Sequence, residues 1–218
     1  MQLIKTNIKI PSFFMMAQQS GWYPQFLKPV TDIVNSTLKI GKVLDIGTGP
    51  GMLPALLKAN DQLQITGTDI SSSMIQRAKE IVKSPNVTFF VQDKNSFKDI
   101  SDSTFDLITI CSVLFLLDTK TRSNLLDEVT RLLKPSGKII VLTPSNKKSF
   151  LFTLKDVWRF PFSKYNWTFF VWKTLTADRG NTWQREKWLL QYSQSKKFAY
   201  SISNVFYDYA TIEIITKS

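Results

Sequence analysis

Three glycines at alternate positions follow a short apolar stretch of this sequence. Residues 43–46 read Val-Leu-Asp-Ile, and Gly47, Gly49 and Gly51 come directly after them. Glycine has no β-carbon, so a ligand can approach its backbone closely and a positive φ angle costs little. About twenty residues further on, a second apolar stretch ends at Asp69, whose carboxylate can accept hydrogen bonds from both hydroxyls of a ribose. The spacing predicts a binding site for a ligand that contains a nucleoside.

The acid that precedes the glycines narrows the class of ligand. A dinucleotide-binding loop has the spacing G-x-G-x-x-G and holds a pyrophosphate at the start of the next helix. This loop reads G-x-G-x-G and continues with Met52, and Asp45 lies two residues before its first glycine. A carboxylate at that position is poorly placed for a pyrophosphate and well placed for a cationic amine. The loop is therefore predicted to bind a nucleoside ligand that carries an amine.

The same residues resemble the first motif of the class I S-adenosylmethionine-dependent methyltransferases, D-x-G-x-G-x-G. Asp45 and the three glycines match that motif position for position. Residues 105–108 read Phe-Asp-Leu-Ile, like the family's fourth strand, and residues 132–137 read Leu-Leu-Lys-Pro-Ser-Gly, like the turn before its fifth strand. Ser136 stands where the family usually has a glycine. The resemblance covers roughly residues 20–145, with its fragments in the order of the family.

The resemblance implies a role in cofactor binding for each matching residue. Asp45 and the glycine loop hold the amino-acid end of S-adenosylmethionine, Asp69 holds the ribose, and Asp93 faces the amino group of the adenine. Two apolar residues of the matched region, Ile70 and Met74, flank the adenine ring. The implied cofactor-binding residues are Asp45, Gly47, Thr48, Gly49, Gly51, Asp69, Ile70, Met74, Asp93 and Cys111.

Two further residues have an alternative interpretation as packing residues. Cys111, at the end of the fourth strand, is expected to border the methionine moiety, but a small buried core residue would have the same sequence signature. Tyr23 precedes the first strand, where family members often close the site, and it is a candidate lid residue. Packing in the core or on the surface is the alternative for Tyr23. No residue is assigned as a catalytic base.

The elements that position these residues alternate between strand and helix, which is typical of a parallel sheet. Ser71 begins one helical segment with an N-cap hydroxyl, and Pro135 follows the end of another. Ligands of such sheets bind beyond the carboxyl ends of the strands, where the glycine loop and the acids all fall. The predicted strands are 42–46, 64–69, 87–92, 104–111 and 138–143, and the predicted helices are 51–59, 71–83 and 121–133.

The last residues of the chain predict two closing strands. Residues 198–203 and 211–215 both alternate apolar and polar side chains, as a half-exposed antiparallel pair does. With the five strands above, this pair and the resemblance to the class I methyltransferases imply the fold class α/β: a Rossmann-like, seven-stranded, mostly parallel sheet flanked by helices, with the last strand antiparallel. The chain is predicted to form a single methyltransferase domain of 1–218, with a helical lid segment (1–40), a cofactor-binding core (41–145), a cap insert (146–196) and a closing hairpin (197–218).

The cap insert is rich in aromatic and basic residues. It is longer than one crossover helix requires, it holds five of the six tryptophans, and it is predicted to form helices at 150–158 and 182–194. Such a cap favours an apolar or planar acceptor, or contact with lipid; packing of the rings onto the sheet is the alternative. Residues 146–218 carry 12 basic and five acidic residues. This surplus suits an anionic membrane surface or a nucleic acid, or simply a solvated surface.

The residue types that are missing also restrict the chemistry. The chain has no histidine, which excludes a Ser-His-Asp triad and a histidine-ligated zinc site, and no metal site is expected. A single cysteine fits a reducing cytoplasm, so the protein is expected to be cytoplasmic, with peripheral contact to a membrane as an option. We predict methyl transfer by in-line displacement to a small-molecule or lipid-like acceptor. RNA methylation, which lacks its usual motifs here, and cofactor binding without turnover are the alternatives.

Overall fold

A computed structural model describes residues 10–93, 97–145 and 150–217. The helices are α1 (Ile10–Gln18), α2 (Tyr23–Thr37), α3 (Met52–Leu57), α4 (Ser72–Ile81), α5 (Thr119–Leu132), α6 (Phe150–Asp156), α7 (Thr168–Glu186) and α8 (Trp188–Ser195). The strands are β1 (Gly41–Ile46), β2 (Leu63–Asp69), β3 (Val87–Val91), β4 (Phe105–Cys111), β5 (Leu133–Pro144), β6 (Ala199–Val205) and β7 (Ala210–Thr216). One-turn 3-10 helices lie at Leu114–Leu116, Val157–Arg159 and Phe206–Asp208.

The seven strands form one sheet in the order β3-β2-β1-β4-β5-β7-β6. Strands β1 to β5 pair in parallel, whereas β7 is inserted between β5 and β6 and runs antiparallel to both. The predicted fold class, a mostly parallel sheet with the last strand antiparallel, is confirmed. From β1 the chain adds β2 and β3 on one side and then returns to place β4 on the other side of β1. The strand order therefore reverses between β1 and β4, and ligands of such sheets bind at the carboxyl ends of the strands at this point.

The closing hairpin differs from the half-exposed pair predicted for it. Strand β7 is almost entirely buried because hydrophobic cores cover both faces of the sheet there, while β6 forms the edge of the sheet and is mostly exposed. Glu213 of β7 is buried, and its carboxylate accepts hydrogen bonds from Trp183 Nε1 at 2.6 Å and from the Tyr200 hydroxyl at 2.7 Å. The alternation in β7 therefore reflects one buried acid with two donors and no solvated face.

Each face of the sheet has its own hydrophobic core, because successive strand residues point to opposite faces. In β1, Val43 belongs to the core that contains α2, while Leu44 belongs to the core that contains α5. On the first face, Trp22 and Phe26 pack against Trp172 with ring centroids 5.0 and 5.1 Å apart. The lid segment and the cap insert thus share one aromatic core beside the sheet.

The cap insert contains more helix than the sequence predicts. The first predicted helix, 150–158, is confirmed as α6 and the 3-10 turn that follows it. The second, 182–194, is wrong: α7 begins at Thr168, and Lys187, with a φ angle of 47°, separates α7 from α8. The first half of α7 is rich in β-branched and aromatic residues, which have low helix propensity. It is helical because Phe169 and Trp172 are buried, and tertiary packing outweighs propensity.

Candidate functional site

The carboxyl ends of four adjacent strands bring the main candidate residues together. The glycine loop follows β1, Asp69 ends β2, Asp93 lies just beyond β3, and Cys111 ends β4. The backbone N–H groups of Gly47 and Thr48 both donate to the Thr68 carbonyl, at 2.8 and 3.0 Å. The loop is therefore fixed to the end of β2 from its first residue.

Asp69 holds the glycine loop through its side chain. The Gly49 N–H donates to Asp69 Oδ2 at 3.0 Å, and the Ser71 N–H donates to Asp69 Oδ1 at 2.9 Å. Each carboxylate oxygen can accept more than one hydrogen bond, so both oxygens can still accept a hydroxyl proton from a ligand. Asp69 thus connects the loop after β1 to the start of α4, a positioning role that its place in the motif alone does not reveal.

Gly47 and Gly49 are required for different reasons. Gly47 has a φ angle of 72°, and a β-carbon there would overlap with the side chain of Val113. Gly49 has a φ angle of 55°, and its nearest neighbour is Gln18 Nε2, 3.5 Å from the position of a β-carbon. Gly47 therefore allows close packing of the loop on the segment after β4, while Gly49 leaves its backbone accessible to a small ligand beneath α1.

Asp45 is a buried acid at the base of this loop. Its side chain is 2% exposed, and Oδ1 accepts a hydrogen bond from Thr109 Oγ1 at 2.8 Å. Desolvation raises the pKa of Asp45 to about 6, against the lowering effect of the neighbouring Thr48 and Thr109 hydroxyls, and the charge of Asp69 raises it further. No basic side chain contributes to this pKa. A bound cation would compensate the charge of Asp45.

The segment between α1 and α2 covers the loop. Burial raises the pKa of the Tyr23 hydroxyl, the Cys111 thiol and the Asp45 carboxylate raise it further, and a hydrogen bond with Gln18 acts in the opposite direction. Tyr23 therefore lies near Asp45 and Cys111. Its ring also packs against Trp22 and Phe26, with centroids 5.2 and 5.9 Å apart, as the packing interpretation predicts, and its role as a lid residue stays a prediction. Gln18 lies outside the residues that the sequence motifs predict for the site; its position as a polar residue directly after the apolar run 13–17 is the signal that could have found it.

Cys111 is partly buried beside the same groups. Burial and the charge of Asp45 together raise the pKa of the Cys111 thiol well above its usual value. Cysteine is nucleophilic as the thiolate, so a neutral thiol at this position is a weak nucleophile. Cys111 also packs against the core on the face of α2, as its interpretation as a core residue predicts; contact with the methionine moiety stays a prediction.

The residues predicted to surround the adenine are less closely grouped. Ile70 is 72% exposed, and together with Asp93, Gln92 and Leu117 it lines an open cavity of about 830 Å³. Met74 is buried within α4 and is not among the residues that line this cavity. The structure thus brings Ile70 and Asp93 to one surface, while Met74 lies behind it.

The tryptophans of the cap insert separate into two groups. Trp172 and Trp183 are buried, so for them packing onto the sheet is the correct interpretation. Arg122, also buried, lies over the rings of Trp183 and Trp188 at 5.0 and 5.9 Å. Trp158, in contrast, is 88% exposed. The buried rings hold the cap in place, and the exposed ring has no such function.

The part of the chain that matches a known family is the part that carries this site. Residues 43–137 match the sequence model of a family described as a methyltransferase domain. The strand order and the buried Asp45 beneath the glycine loop agree with this match. Residues 43–137 are therefore similar to a methyltransferase domain.

Individual proteins resemble the methyltransferase domain to different extents. A ubiquinone/menaquinone biosynthesis C-methyltransferase, UbiE, of Desulfotalea psychrophila is 36% identical over 110 residues, which cover 49% of this chain and 44% of the relative. A cyclopropane-fatty-acyl-phospholipid synthase of Escherichia coli is 31% identical over 108 residues, 50% of this chain and 27% of the relative. The chain spans about half the length, or less, of the curated relatives it matches.

A solved structure extends the likeness to the whole fold. The crystal structure of an S-adenosyl-L-methionine-dependent methyltransferase from Methanococcus maripaludis has a TM-score of 0.69 and covers 100% of this chain and 97% of its own. The identity is 19%, so this likeness concerns the fold alone. It includes the cap insert and the closing hairpin, which lie outside the sequence match.

The residues of the methyltransferase domain fit the cofactor of its family. Asp45 is buried without a basic partner and matches the charge of an ammonium group, Gly49 leaves its backbone accessible, and Asp69 has free acceptor capacity for a ribose. Within residues 10–93, 97–145 and 150–217, no cluster of three or more potential ligand residues could bind a metal ion. None of the helices in these ranges is both long and apolar enough to cross a bilayer.

Proposed function

We propose that this protein transfers a methyl group from S-adenosylmethionine, by in-line displacement, to a small apolar or lipid-like acceptor. The observation that carries the proposal is the buried carboxylate of Asp45 beneath the accessible backbone of Gly49, with Asp69 beside both. A site with two carboxylates at its base favours a ligand with an amine and a ribose over one with a pyrophosphate.

Each candidate residue has a proposed role toward the cofactor. Asp45, Gly47, Thr48, Gly49 and Gly51 hold the amino-acid end, and Asp69 accepts hydrogen bonds from the ribose. The adenine is held by Ile70 and Asp93, Met74 supports this surface from within α4, and Cys111 borders the methionine moiety. When bound, S-adenosylmethionine supplies an activated methyl group on a positively charged sulfur. The protein orients that methyl group, and Gln18 and Tyr23 of the lid exclude water from it.

The protonation states of the site restrict the acceptor. The pKa values of Tyr23 and Cys111 are raised by burial, so both groups keep their protons at neutral pH and are poor general bases. If Asp45 binds the ammonium group, its carboxylate is occupied and cannot also act as the general base. We therefore infer an acceptor that is nucleophilic without help from these three side chains, such as an electron-rich ring carbon or a double bond.

The relatives support an apolar acceptor. One is named as a C-methyltransferase of ubiquinone and menaquinone biosynthesis, and another as a synthase acting on fatty-acyl phospholipids. The aromatic residues of the cap insert suit the same class of molecule. The proposal places the protein in the cytoplasm, in peripheral contact with the membrane that would hold such an acceptor.

Calorimetry tests the cofactor assignment first. We expect saturable binding of S-adenosylmethionine and of its demethylated product, greatly weakened by Asp45→Asn. Asp61→Asn is the matched control, because Asp61 is exposed and lies outside the site. Full affinity in Asp45→Asn would contradict the assignment.

A transfer assay with labelled cofactor then identifies the acceptor class. Quinone-like, phospholipid and RNA pools are compared under the same conditions. We expect label in the quinone-like or lipid pool. Label in RNA alone would support the alternative drawn from the net charge of +11, and binding without transfer to any pool would support a non-catalytic binding protein.

A further inference from the structure

A segment of the cap insert exposes several large apolar side chains. Phe152 and Leu154 on α6, Trp158 on the 3-10 turn and Phe162 after it are all exposed, with Trp158 and Phe162 at 88% and 99%. A single exposed apolar residue is common, but a group of them usually marks an interaction site. We call residues 152–167 the exposed aromatic segment.

The charge on this segment is of one sign at its surface. Lys155, Arg159 and Lys164 are exposed, whereas the one acid in 152–167, Asp156, is buried. Asp156 accepts a hydrogen bond from the Tyr209 hydroxyl at 3.0 Å and pairs with Arg159 at 3.1 Å. The partner that touches this surface therefore meets aromatic rings interspersed with positive charges.

The segment is held firmly against the rest of the protein. Phe160, in its middle, is buried and stacks on Phe206 at 5.6 Å. Ser163 Oγ donates to the Gln19 carbonyl at 2.9 Å. These contacts fix the backbone that carries the exposed rings. Little backbone entropy is therefore lost when a partner binds there.

The same contacts place the segment beside the lid of the cofactor site. The Gly21 N–H donates to Asn166 Oδ1 at 2.8 Å, and Trp22 Nε1 donates to Thr168 Oγ1 at 2.9 Å. Gln18 and Tyr23, which cover the glycine loop, lie within three residues of Gly21. A partner bound to the exposed aromatic segment is thus next to the entrance of the site.

We propose that the exposed aromatic segment docks on an anionic lipid bilayer. Trp158 and Phe162 enter the interfacial region, where aromatic rings are favoured, and Lys155 and Lys164 contact the anionic headgroups. The charge complementarity and the projecting rings favour a bilayer over a protein partner, which would need a complementary groove. The inference deepens the proposed function, on which it rests for the idea that the acceptor is lipid-like.

Vesicle co-sedimentation at physiological ionic strength tests the docking surface. The probes are vesicles of phosphatidylcholine alone and of equal parts phosphatidylcholine and phosphatidylglycerol. We expect the full chain to bind the anionic vesicles. A basic residue near such a surface contributes about a fivefold increase in partitioning, so Lys155→Gln with Lys164→Gln is expected to reduce binding about 25-fold. Trp158→Ser with Phe162→Ser is expected to reduce it more than tenfold.

Matched control variants come from the segments that precede β1 and β3. Ile40→Ser with Ile81→Ser removes two exposed apolar residues there, and Lys39→Gln with Lys83→Gln removes two exposed cations. Both controls are expected to bind vesicles like the unmodified chain. Equal losses in the controls and in the segment variants would overturn the proposal, because binding would then depend on net charge or hydrophobicity alone.

The outcome is separable from that of the proposed function. Absence of vesicle binding in a chain that still binds S-adenosylmethionine and methylates a soluble acceptor overturns only the docking surface. Vesicle binding without cofactor binding overturns only the proposed function. Salt-sensitive binding to tRNA with no vesicle association overturns the docking proposal in favour of nucleic acid.

Discussion

The proposed role of Asp45 and its raised pKa together predict that cofactor affinity depends on pH. The carboxyl group has a pKa of about 6 because it is buried, and only its ionised form attracts the ammonium group of S-adenosylmethionine. The apparent affinity is the intrinsic affinity multiplied by the fraction of protein in the competent form. That fraction is roughly 0.9 at pH 7 and roughly 0.1 at pH 5 for such a pKa. Binding is thus expected to be about tenfold weaker at pH 5 than at pH 7.

The sign of this effect follows from the charges. A bound cation stabilises the carboxylate and lowers its pKa, so binding near pH 6 expels a proton from the fraction of molecules that carry one. The affinity is fully present above pH 6 and is lost as the pH falls through that value. The amine and the carboxyl of the ligand's amino-acid end titrate outside this window, so they do not produce the step.

Calorimetry from pH 5 to pH 7.5 measures the step. Titrations at pH 6 in two buffers with different ionisation enthalpies report the released proton directly, at about half a proton per site for this pKa. Adenosine, which lacks the amino-acid end, is expected to bind with an affinity that does not depend on pH. Asp45→Asn should remove the step, whereas Asp61→Asn should keep it. A flat affinity in the unmodified chain, or a step that survives in Asp45→Asn, would refute the reasoning.

Three further outcomes are expected. In urea at pH 7, the ligand-free Asp45→Asn variant should gain up to about 3 kcal/mol in free energy of unfolding, because burial raises the pKa of Asp45 by about two units and the ionised form is therefore destabilised in the folded protein. The gain should vanish toward pH 4, where the carboxyl group is protonated. No gain at pH 7 would argue against burial as the cause of the raised pKa. Removal of the ribose 2′-hydroxyl from the demethylated cofactor should weaken binding about 10- to 100-fold by calorimetry, since Asp69 loses a charge-assisted hydrogen bond; unchanged affinity would remove Asp69 from the ribose. Trp183→Phe should lower the free energy of unfolding by about 2 kcal/mol, because the buried Glu213 carboxylate loses a donor at 2.6 Å, whereas Trp158→Phe should leave it unchanged.

The sheet could be predicted because its determinants are local. Apolar runs such as 105–111, bounded by turn residues, indicate buried parallel strands whatever the rest of the chain does. Asp45 and the glycine loop could likewise be placed, since a strand followed by this loop leads to the carboxyl edge of such a sheet.

The rest depends on contacts between distant parts of the chain. The start of α7 at Thr168 is set by the burial of Phe169 and Trp172 against the lid segment, and no helix signal precedes it. Gln18 reaches the glycine loop only because α1 crosses it. Tertiary contacts also decide whether a tryptophan of the cap insert is buried or exposed. Trp172 is buried and Trp158 is exposed, although the residue type is the same.

The lid joins the two halves of the proposed activity. Burial and the charge of Asp45 both raise the pKa of Tyr23. Gly21, two residues earlier, donates a hydrogen bond to Asn166 of the exposed aromatic segment. A β-carbon at Gly21 would overlap with the backbone of Pro161, so the junction has no room to move independently of that segment. If the segment rests on a bilayer, the lid rests there too, and an apolar acceptor can reach the methyl group with little exposure to water. Exposed aromatic rings do not increase solubility, so the position of Trp158 and Phe162 at this junction favours an interaction surface.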